Sequence, residues 1–301
     1  MGSKTKEEAI KDLVRMNSPE ILLIQETKME APETIQAGKK FWKKGEGRAS
    51  SSRGASGGIA TFWNSSMFDL TEDYGTTHWI FTKLQHRDSG QQISLFNIYA
   101  PVLLAEKRDC WDSLSLFLSA NQLDNLVLAG DMNVTLALSE KKGGSPVRDP
   151  AREWVEDIIS GWDLADIKPS RGKFTWSNKR VGPGHIAARL DRFLVHSSFL
   201  TLGLFSNSEI LQACTSDHKP ISLTLTPGEK LGPIPFRFSP LWLLQDNFQQ
   251  VISDSWSTPL PGPPLLGFLP RVIPENQGGF IKGRKIQDNI LLVQEAIHSS
   301  S

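Results

Sequence analysis

The chain is poor in cysteine and has no long apolar run, and both absences narrow the class of protein. Only two of its 301 residues are cysteines, Cys110 and Cys214, which argues against a disulfide scaffold or a zinc knuckle. No apolar stretch approaches the roughly 20 residues needed to cross a bilayer as a helix. The start, MGSKTKEEAIKDL, lacks the apolar core of a secretory signal peptide. We therefore expect a nuclear or cytoplasmic protein that is not secreted and has no membrane partner.

The chain also has no excess of charge of one sign. Lys and Arg together number 33, as do Asp and Glu, so the bulk charge gives no reason to expect a nucleic-acid partner. The local distribution does, because the segment around Phe41 and Trp42 contains Lys43, Lys44 and Arg48. Cations interleaved with aromatic rings suit a phosphate backbone and its bases. A solvated basic loop is an equally good interpretation of this segment.

The apolar pattern predicts an α+β fold. EILLIQE, QQISLFNIYAP and DNLVLAGD are short apolar runs typical of strands, whereas KEEAIKDLVRM and AREWVEDIISG have helical spacing. Several strands follow one another directly, so the order is not a repeating strand–helix series, and a doubly wound sheet or a barrel is not expected. The pattern favours two packed sheets with helices outside.

The amino-acid composition of the chain changes after Leu225. TPGEKLGPIPFRFSP and STPLPGPP are rich in proline and glycine, and about 75 residues of this kind cannot easily bury a core of their own. We predict a domain over residues 1–225, a linker over 226–267 and a separate tail over 268–301. The tail offers one amphipathic helix near its end.

Polar side chains of related chemistry occur at or near the ends of apolar strands. They are Glu26, Tyr99, Asp131, Asn133, Asp191, Asp217 and His218. Taken singly, each has an ordinary structural explanation: a solvated acid, a packed aromatic ring, or, for Asp191, a salt bridge with Arg189 or Arg192. Loops at one edge of a sheet are where α/β proteins build their sites. The coincidence of so many strand-end groups therefore predicts one shared site.

This set of side chains suits a hard divalent cation and a phosphate. Glu26 and Asp217 supply the oxygen ligands that Mg²⁺ prefers, with Mn²⁺ as the alternative, and no small-molecule cofactor is expected. In the same interpretation Asp131 orients and deprotonates a water molecule while Asn133 donates a hydrogen bond to a phosphate oxygen.

The remaining groups suit the charge that develops on a phosphate during hydrolysis. His218, as an imidazolium steadied by Asp191, would stabilise negative charge on a pentavalent phosphorus. Tyr99 would donate a hydrogen bond to the phosphate or to the leaving oxygen.

A family resemblance supports these roles. IQETK, NIYAP, LAGDMN, RLDRFLV and SDHKP stand in the order and rough spacing of the endonuclease/exonuclease/phosphatase superfamily, and GD-x-N followed by a distant SDH is the most specific part. Residues 4–225 most resemble the endonuclease domain of plant non-LTR (LINE-type) retrotransposons. The resemblance implies a four-layer α/β sandwich and Mg²⁺-dependent cleavage of DNA, in which a nick in the target primes reverse transcription.

Carried over by motif, the resemblance assigns each strand-end residue a role. Glu26 matches the metal-binding glutamate, Tyr99 the active-site tyrosine, and Asp191 the aspartate that supports the histidine. Asp131 and Asn133 match the pair that activates water and orients substrate, and Asp217 and His218 match the final Asp-His. In RGKFTWSN, Trp176 is expected either to contact DNA or to pack; packing is favoured, with Asn178 exposed.

The tail resembles a second piece of the same kind of element. IPENQGGFIKGRKIQDNILLVQEAIHS is similar to an early segment of a reverse transcriptase, but the paired aspartates of a polymerase are absent from the sequence. We therefore expect no polymerase activity.

The chain departs from the family pattern at its start. The family's first strand carries an asparagine, in a context like W-N-x-R-G, that helps to hold the metal, and this sequence has no such segment before its first helix. We expect a sheet without one inner strand, at about 1–3 kcal/mol for each buried unsatisfied group, and weak or no nicking. The alternatives are a non-catalytic remnant with DNA binding at most, or a phosphatase of the same superfamily.

Overall fold

The computed structural model describes residues 4–53, 56–201, 204–212, 216–227 and 288–294. Their helices and strands form an α+β fold with two six-stranded sheets and a small three-stranded sheet. The α+β prediction is confirmed. None of the helices in these ranges is long and apolar enough to cross a membrane.

The first six-stranded sheet carries the earliest strand of the chain near its centre. Its strands, in spatial order, are β2 (Gly45–Arg53), β3 (Ser56–Asn64), β1 (Ile21–Gln25), β15 (Asp288–Gln294), β14 (Ile221–Pro227) and β13 (Leu204–Ile210). Neighbours are antiparallel except β1 and β15, which are parallel.

The second six-stranded sheet contains the apolar strands of the middle of the chain. Its order is β4 (Phe68–Gly75), β5 (Trp79–His86), β6 (Gln92–Tyr99), β7 (Leu126–Asp131), β12 (Asp191–His196) and β9 (Leu164–Ile167). β6 and β7 are parallel and are connected through helix α3 (Leu104–Ala120), because parallel neighbours need a crossover.

The remaining elements are helices and short strands. The small sheet has the order β10 (Trp176–Ser177), β11 (Ala187–Ala188) and β8 (Lys141–Lys142). The other helices are α1 (Lys4–Asn17), α2 (Ala31–Phe41), α4 (Arg152–Gly161) and α5 (Ser198–Thr201), with 3₁₀ turns at Leu138–Glu140 and Gly182–Gly184.

Three apolar clusters define the layers. The central cluster joins the two large sheets, and it takes Ile21 and Leu23 from β1 and Val127 from β7. The alternate residues of β1, Leu22 and Ile24, pack instead against α1 and α2. A third cluster packs α3 and α4 against the outer face of the second sheet. The first four residues of β1 are therefore all apolar because both of its faces are buried, and the layers run helix, sheet, sheet, helix.

The C-terminal segment differs from the expectation. The sequence predicts that a sheet lacks one inner strand and that the chain has a helix near its end. Instead, residues 288–294 form strand β15 between β1 and β14. Two neighbouring strands with unpaired backbone groups favour an extended partner over a helix. The first two residues of the predicted linker, 226 and 227, belong to β14, whereas the rest of the linker and the start of the tail, residues 228–287, lie outside the described residues.

Candidate active site

Three strands of the second sheet bring acidic and phenolic groups to one edge. In the parallel ladder of β6 and β7, Tyr99 is the register partner of Asp131. In the antiparallel ladder of β7 and β12, Asp191 is the partner of Asp131 on the other side. Asp131 and Asp191 are buried. The last residue of β7 is therefore flanked on both sides by predicted site residues.

The turn after β7 depends on a glycine. Gly130 has a φ of 139°, and a Cβ at this position would lie 1.9 Å from the carbonyl oxygen of Ile98. Only glycine fits that close approach of β7 to β6. Asn133 follows with a φ of 48°, its backbone N–H donates to Asp131 Oδ1 at 2.9 Å, and its amide nitrogen donates to the Ala100 carbonyl at 2.7 Å. The GD-x-N motif thus encodes a rigid turn that holds Asn133 beside Asp131.

Glu26 approaches this edge from the first sheet. It follows β1 with a φ of 53°, in the left-handed region, and Oε2 lies 3.6 Å from Nζ of Lys28. The hydroxyl of Tyr99 donates a hydrogen bond to Glu26 Oε1. Burial raises the pKa of Tyr99, and the negative charge of Glu26 raises it further, so the phenol keeps its proton.

A buried amide pair fixes the two sheets just below this contact. Gln25 Nε2 donates to Asn97 Oδ1 at 2.5 Å, and Asn97 Nδ2 donates to the Ala60 carbonyl at 2.9 Å. Gln25 and Asn97 are fully buried, and a polar pair in that setting is held in a single geometry by its hydrogen bonds. The sequence analysis did not single out either residue, although each lies next to or near a predicted one.

His218 is buried between two carboxylates. Its Nδ1 lies 3.0 Å from Oδ2 of Asp191, and its Nε2 lies 3.9 Å from Oδ2 of Asp131. Burial lowers the pKa of His218, but the charges of Asp191, Asp131 and Asp217 outweigh it and raise the pKa to about 10. The imidazole is therefore protonated at neutral pH.

The segment Thr175–Ser177 holds the Asp-His loop in place. Thr175 Oγ1 accepts the backbone N–H of Asp191 at 3.1 Å, and Trp176 forms an isolated bridge with His218. The indole N–H of Trp176 donates to Asp217 Oδ2 at 3.0 Å. Trp176 is half-buried, as the packing interpretation expects, and its polar edge orients Asp217. The sequence analysis missed Thr175 and this indole bond, for which the FTWSN motif was the available signal.

Asp191 is not the salt-bridge partner of the neighbouring arginines, so the alternative explanation for that residue is wrong. Arg189 pairs with Glu140 at 3.0 Å and with Asp166 at 2.5 Å. Arg192, which is fully buried, pairs with the same two acids and donates to the Val134 carbonyl at 3.0 Å. This buried ion cluster ties β12 to the loop that follows Asn133, and Asp191 stays available for His218.

The donor set fits a divalent cation. The negative charges of Glu26, Asp131 and Asp217 all raise the pKa of Tyr99. Asp191, together with Asp131 and Asp217, raises the pKa of His218. Lys28 contacts Glu26, and His218 contacts Asp191 and Asp131. Ligand atoms of Asp131, Asp191 and His218 lie within 4.8 Å of one another. A protonated imidazole offers no lone pair, however, so carboxylate oxygens are the better ligands.

The predicted DNA contacts at Lys43, Lys44 and Arg48 lie away from this edge. Both lysines are exposed and precede β2 at the end where Gly45 pairs with Asn64. Glu26 follows the opposite end of β1, about 17 Å away at the rise of a strand. Arg48 is exposed and pairs with Asp73 at 3.1 Å.

Other basic residues lie on or beside the small sheet, whose Trp176 bridges to His218. Lys142 and Arg180 are exposed and line one groove with His185, on the small sheet that contains Trp176. Asn178 is half-buried rather than exposed: its amide nitrogen donates to the Gly184 carbonyl at 2.9 Å, and its oxygen accepts the Ile186 N–H at 3.0 Å. Asn178 therefore shapes the loop that carries Arg180. Lys142 and Arg180 were not predicted from the sequence, because they are distant from each other along the chain.

A cleft of about 500 Å³ opens beside Tyr99. Its walls come from the β2–β3 hairpin, including Gly57 and Gly58, and from the start of α3, including Glu106. The Tyr99 side of the site is therefore open to the surface.

A profile of the endonuclease/exonuclease/phosphatase family matches residues 2–218. The chain belongs to the endonuclease/exonuclease/phosphatase family. The match covers all of the strand-end residues from Glu26 to His218. The superfamily resemblance drawn from the motifs is thereby confirmed, whereas the plant origin and the reverse-transcriptase segment stay predictions.

A curated relative of this family member comes from a transposon. The uncharacterized 149 kDa protein of transposon TX1 from Xenopus laevis is 28% identical over 180 residues, which cover 58% of this chain and 13% of the relative. The chain thus corresponds to a small part of that protein.

Solved structures share the fold of this family member. They include the AP endonuclease LMAP from Leishmania major (TM-score 0.56, 16% identity, 73% of this chain and 82% of that one). The endonuclease domain of TRAS1, a telomere-specific non-LTR retrotransposon, has a TM-score of 0.55 and 16% identity over 76% of this chain and 94% of that one. D. rerio TDP2 in complex with a single-strand DNA product has a TM-score of 0.50 and 17% identity over 72% and 89% of the two chains.

Proposed function

We propose that this chain is a retrotransposon-type endonuclease that hydrolyses phosphodiester bonds in DNA with a divalent cation and leaves a nick that primes reverse transcription. The observation that carries the proposal is the register of Asp131, which lies between Tyr99 and Asp191, with His218 beside both acids. The proposal is supported because this edge of the sandwich then combines a proton acceptor, a neutral donor and a cationic donor.

Asp131 is the proton acceptor for the attacking water. It is held by the backbone N–H of Asn133 on Oδ1, and the Asn133 amide lies 3.1 Å from its Oδ2. A fixed carboxylate within reach of the water can take its proton as the bond to phosphorus forms. The Asn133 amide donates its two N–H groups to the Ala100 carbonyl and to Asp131 Oδ2, so it fixes the carboxylate that would face the phosphate.

His218 and Tyr99 stabilise the negative charge that develops on the phosphate. His218 is charged because of its carboxylate neighbours, and Tyr99 keeps its proton because of burial and Glu26. Rigid donors aimed at developing charge lower the barrier more than mobile ones in water. Glu26 and Asp217 would hold Mg²⁺, or Mn²⁺ in its place, and the bound ion would supply Lewis-acid neutralisation of the phosphate oxygens.

DNA is the substrate that the surroundings of the site favour. The exposed Lys142 and Arg180 extend the site with positive charge suited to a phosphate backbone. The similarity to a transposon protein and the fold shared with the TRAS1 endonuclease domain support the same choice.

We expect slow nicking. The site residues described above include no counterpart of the metal-binding asparagine that the family resemblance places on a first strand. A metal that lacks one ligand binds more weakly, so the Mg²⁺ requirement should be high.

Product analysis tests this proposal. The full chain is incubated with supercoiled plasmid and Mg²⁺, with EDTA as the blank, and the nicked circle is offered to a DNA polymerase without prior phosphatase treatment. Direct extension from the nick supports the proposal, since it requires a free 3′-hydroxyl. Release of phosphate from a small monoester without nicking would favour the phosphatase alternative, and no hydrolysis of either substrate would favour a non-catalytic remnant.

A further inference from the structure

The first sheet is completed by a segment from the far end of the chain. β15 lies between β1 and β14, parallel to the former and antiparallel to the latter. Its register runs from Ile21 with Ile290 to Gln25 with Gln294 on one side, and from Ile221 with Leu292 to Leu225 with Asp288 on the other. Every residue of β1 thus has a partner on β15.

The position that β15 occupies is buried and apolar along both of its edges. All five residues of β1 are buried, and Ile221, Leu223 and Leu225 of β14 belong to the central core cluster. Backbone N–H and C=O groups in such a place need partners, because water does not reach them. The two strands therefore form an acceptor that only an extended segment can satisfy.

The sequence of the occupant matches its register. Ile290 pairs with Ile21 and Leu223, and Leu292 pairs with Leu23 and Ile221. These four partners are all members of the central cluster. The run Ile-Leu-Leu-Val at 290–293 is apolar throughout, as a strand inside a two-sided buried sheet requires.

We propose that the gap between β1 and β14 is a strand-acceptor slot and that Asp288–Gln294 of the same chain is its occupant. The strand ends link the slot to the candidate site. Glu26 directly follows Gln25, whose partner is Gln294, and β14 begins three residues after His218. The C-terminal segment therefore positions both Glu26 and the Asp-His loop.

A disulfide test probes the register directly. In a Cys214→Ser background, Thr224→Cys is combined with Asn289→Cys, its register partner; the control combines Thr224→Cys with Leu291→Cys, two residues out of register. Directly opposed strand residues lie within the Cα separation that a disulfide spans. Both proteins are oxidised mildly, and the products are read on non-reducing gels and by mass spectrometry of the linked peptides.

The proposal expects an intramolecular link in the register pair and at least about fivefold less in the control. Equal linking in both proteins, or none in either, would overturn it. A linked dimer would also overturn it, since the occupant would then come from a second copy of the chain.

Two substitutions on the occupant connect the slot to stability and activity. Leu292→Asp introduces a charge at the register position that pairs with Leu23 and Ile221, so the melting temperature should fall by about 5 °C or more, and nicking should fall at least tenfold. Leu292→Val keeps an apolar β-former there and should change neither measurably. Unchanged melting in Leu292→Asp would overturn the proposal. The nicking measurement rests on the proposed function, whereas disulfide formation and the melting temperature do not. The strand-slot proposal and the proposed function can therefore fail separately.

Discussion

The imidazole Nδ1 of His218 lies 3.0 Å from Oδ2 of Asp191, and this contact joins the two large sheets. His218 precedes a strand of the first sheet, and Asp191 begins a strand of the second. The hydrogen bond from Tyr99 to Glu26 joins the same two sheets, but here the donor belongs to the second sheet and the acceptor follows a strand of the first. The candidate site therefore lies where the two sheets meet, and its geometry depends on how they are packed.

The pH dependence of nicking should report the His218–Asp191 pair. The folded-state pKa of His218 is raised to about 10 from 6.5. The charged imidazole therefore contributes fully to the free energy of unfolding below pH 6.5, and this contribution is lost as the pH rises through 10. Asp191→Asn removes a carboxylate that favours the imidazolium. The alkaline limb of the pH–rate profile should then move to lower pH, in parallel with the His218 titration seen by NMR.

The exposed Asp157 on α4 supplies the control for this experiment. Asp157→Asn should change neither the pH–rate profile nor the NMR titration of His218. An alkaline limb that stays fixed in Asp191→Asn would contradict the role assigned to the pair.

Trp176→Phe should weaken metal dependence without unfolding the protein. The variant keeps an aromatic ring but loses the indole hydrogen bond to Asp217. Loss of a group that orients a ligand typically lowers metal affinity by about tenfold. We expect the Mg²⁺ concentration for half-maximal nicking to rise by that factor, with melting nearly unchanged.

Trp154→Phe, on α4 and remote from Asp217, is the matched control and should not alter the Mg²⁺ requirement. If both tryptophan variants behave alike, Trp176 only packs.

The buried ion cluster should be sensitive to the loss of one acid. Burial raises the pKa of Glu140, but the hydrogen bond and charge of Arg192 outweigh it and lower the pKa to about 2. Glu140→Gln leaves Arg189 and Arg192 short of a counter-charge, which typically costs about 3 kcal/mol of unfolding free energy. Urea titrations measure this loss.

The wild-type contribution of Glu140 should be present above the ordinary pKa of 4.5 and disappear as the pH falls through 2. Glu156→Gln, which breaks a more exposed pair with Arg152, should change the unfolding free energy by less than about 1 kcal/mol. Equal effects of the two substitutions would show that the buried cluster is not structurally important.

DNA affinity should separate the two basic surfaces. Removing Lys142, on the small sheet, and Arg180, on the loop between β10 and β11, should weaken DNA binding and reduce the salt dependence of the binding constant by about one unit for each phosphate that the variant no longer neutralises. Removing Lys43 and Lys44 should have a smaller effect, because they lie near the other end of β1. Fluorescence anisotropy at several salt concentrations makes the comparison; a larger loss of affinity in the second pair would instead support the basic-aromatic segment.

The strand ends could be predicted from the sequence because they are local. EILLIQE and LAGDMN place Glu26 and Asp131 at the ends of apolar runs. The partners of Arg189 and Arg192 could not be predicted, because Glu140 and Asp166 reach them only through the packing of distant segments. The periodicity of the tail was ambiguous for the same reason: residues 288–294 are a strand because two strands flank them.

The rate ratio between the full chain and Asp131→Asn tests the central claim most directly. Both proteins are purified identically and incubated with supercoiled plasmid over a range of Mg²⁺ concentrations. The account predicts slow nicking by the full chain that requires the cation, and at least about 100-fold less from Asp131→Asn, since its amide cannot accept the proton of the water. Nicking of equal rate in the two proteins, or none above the EDTA blank in either, would contradict it.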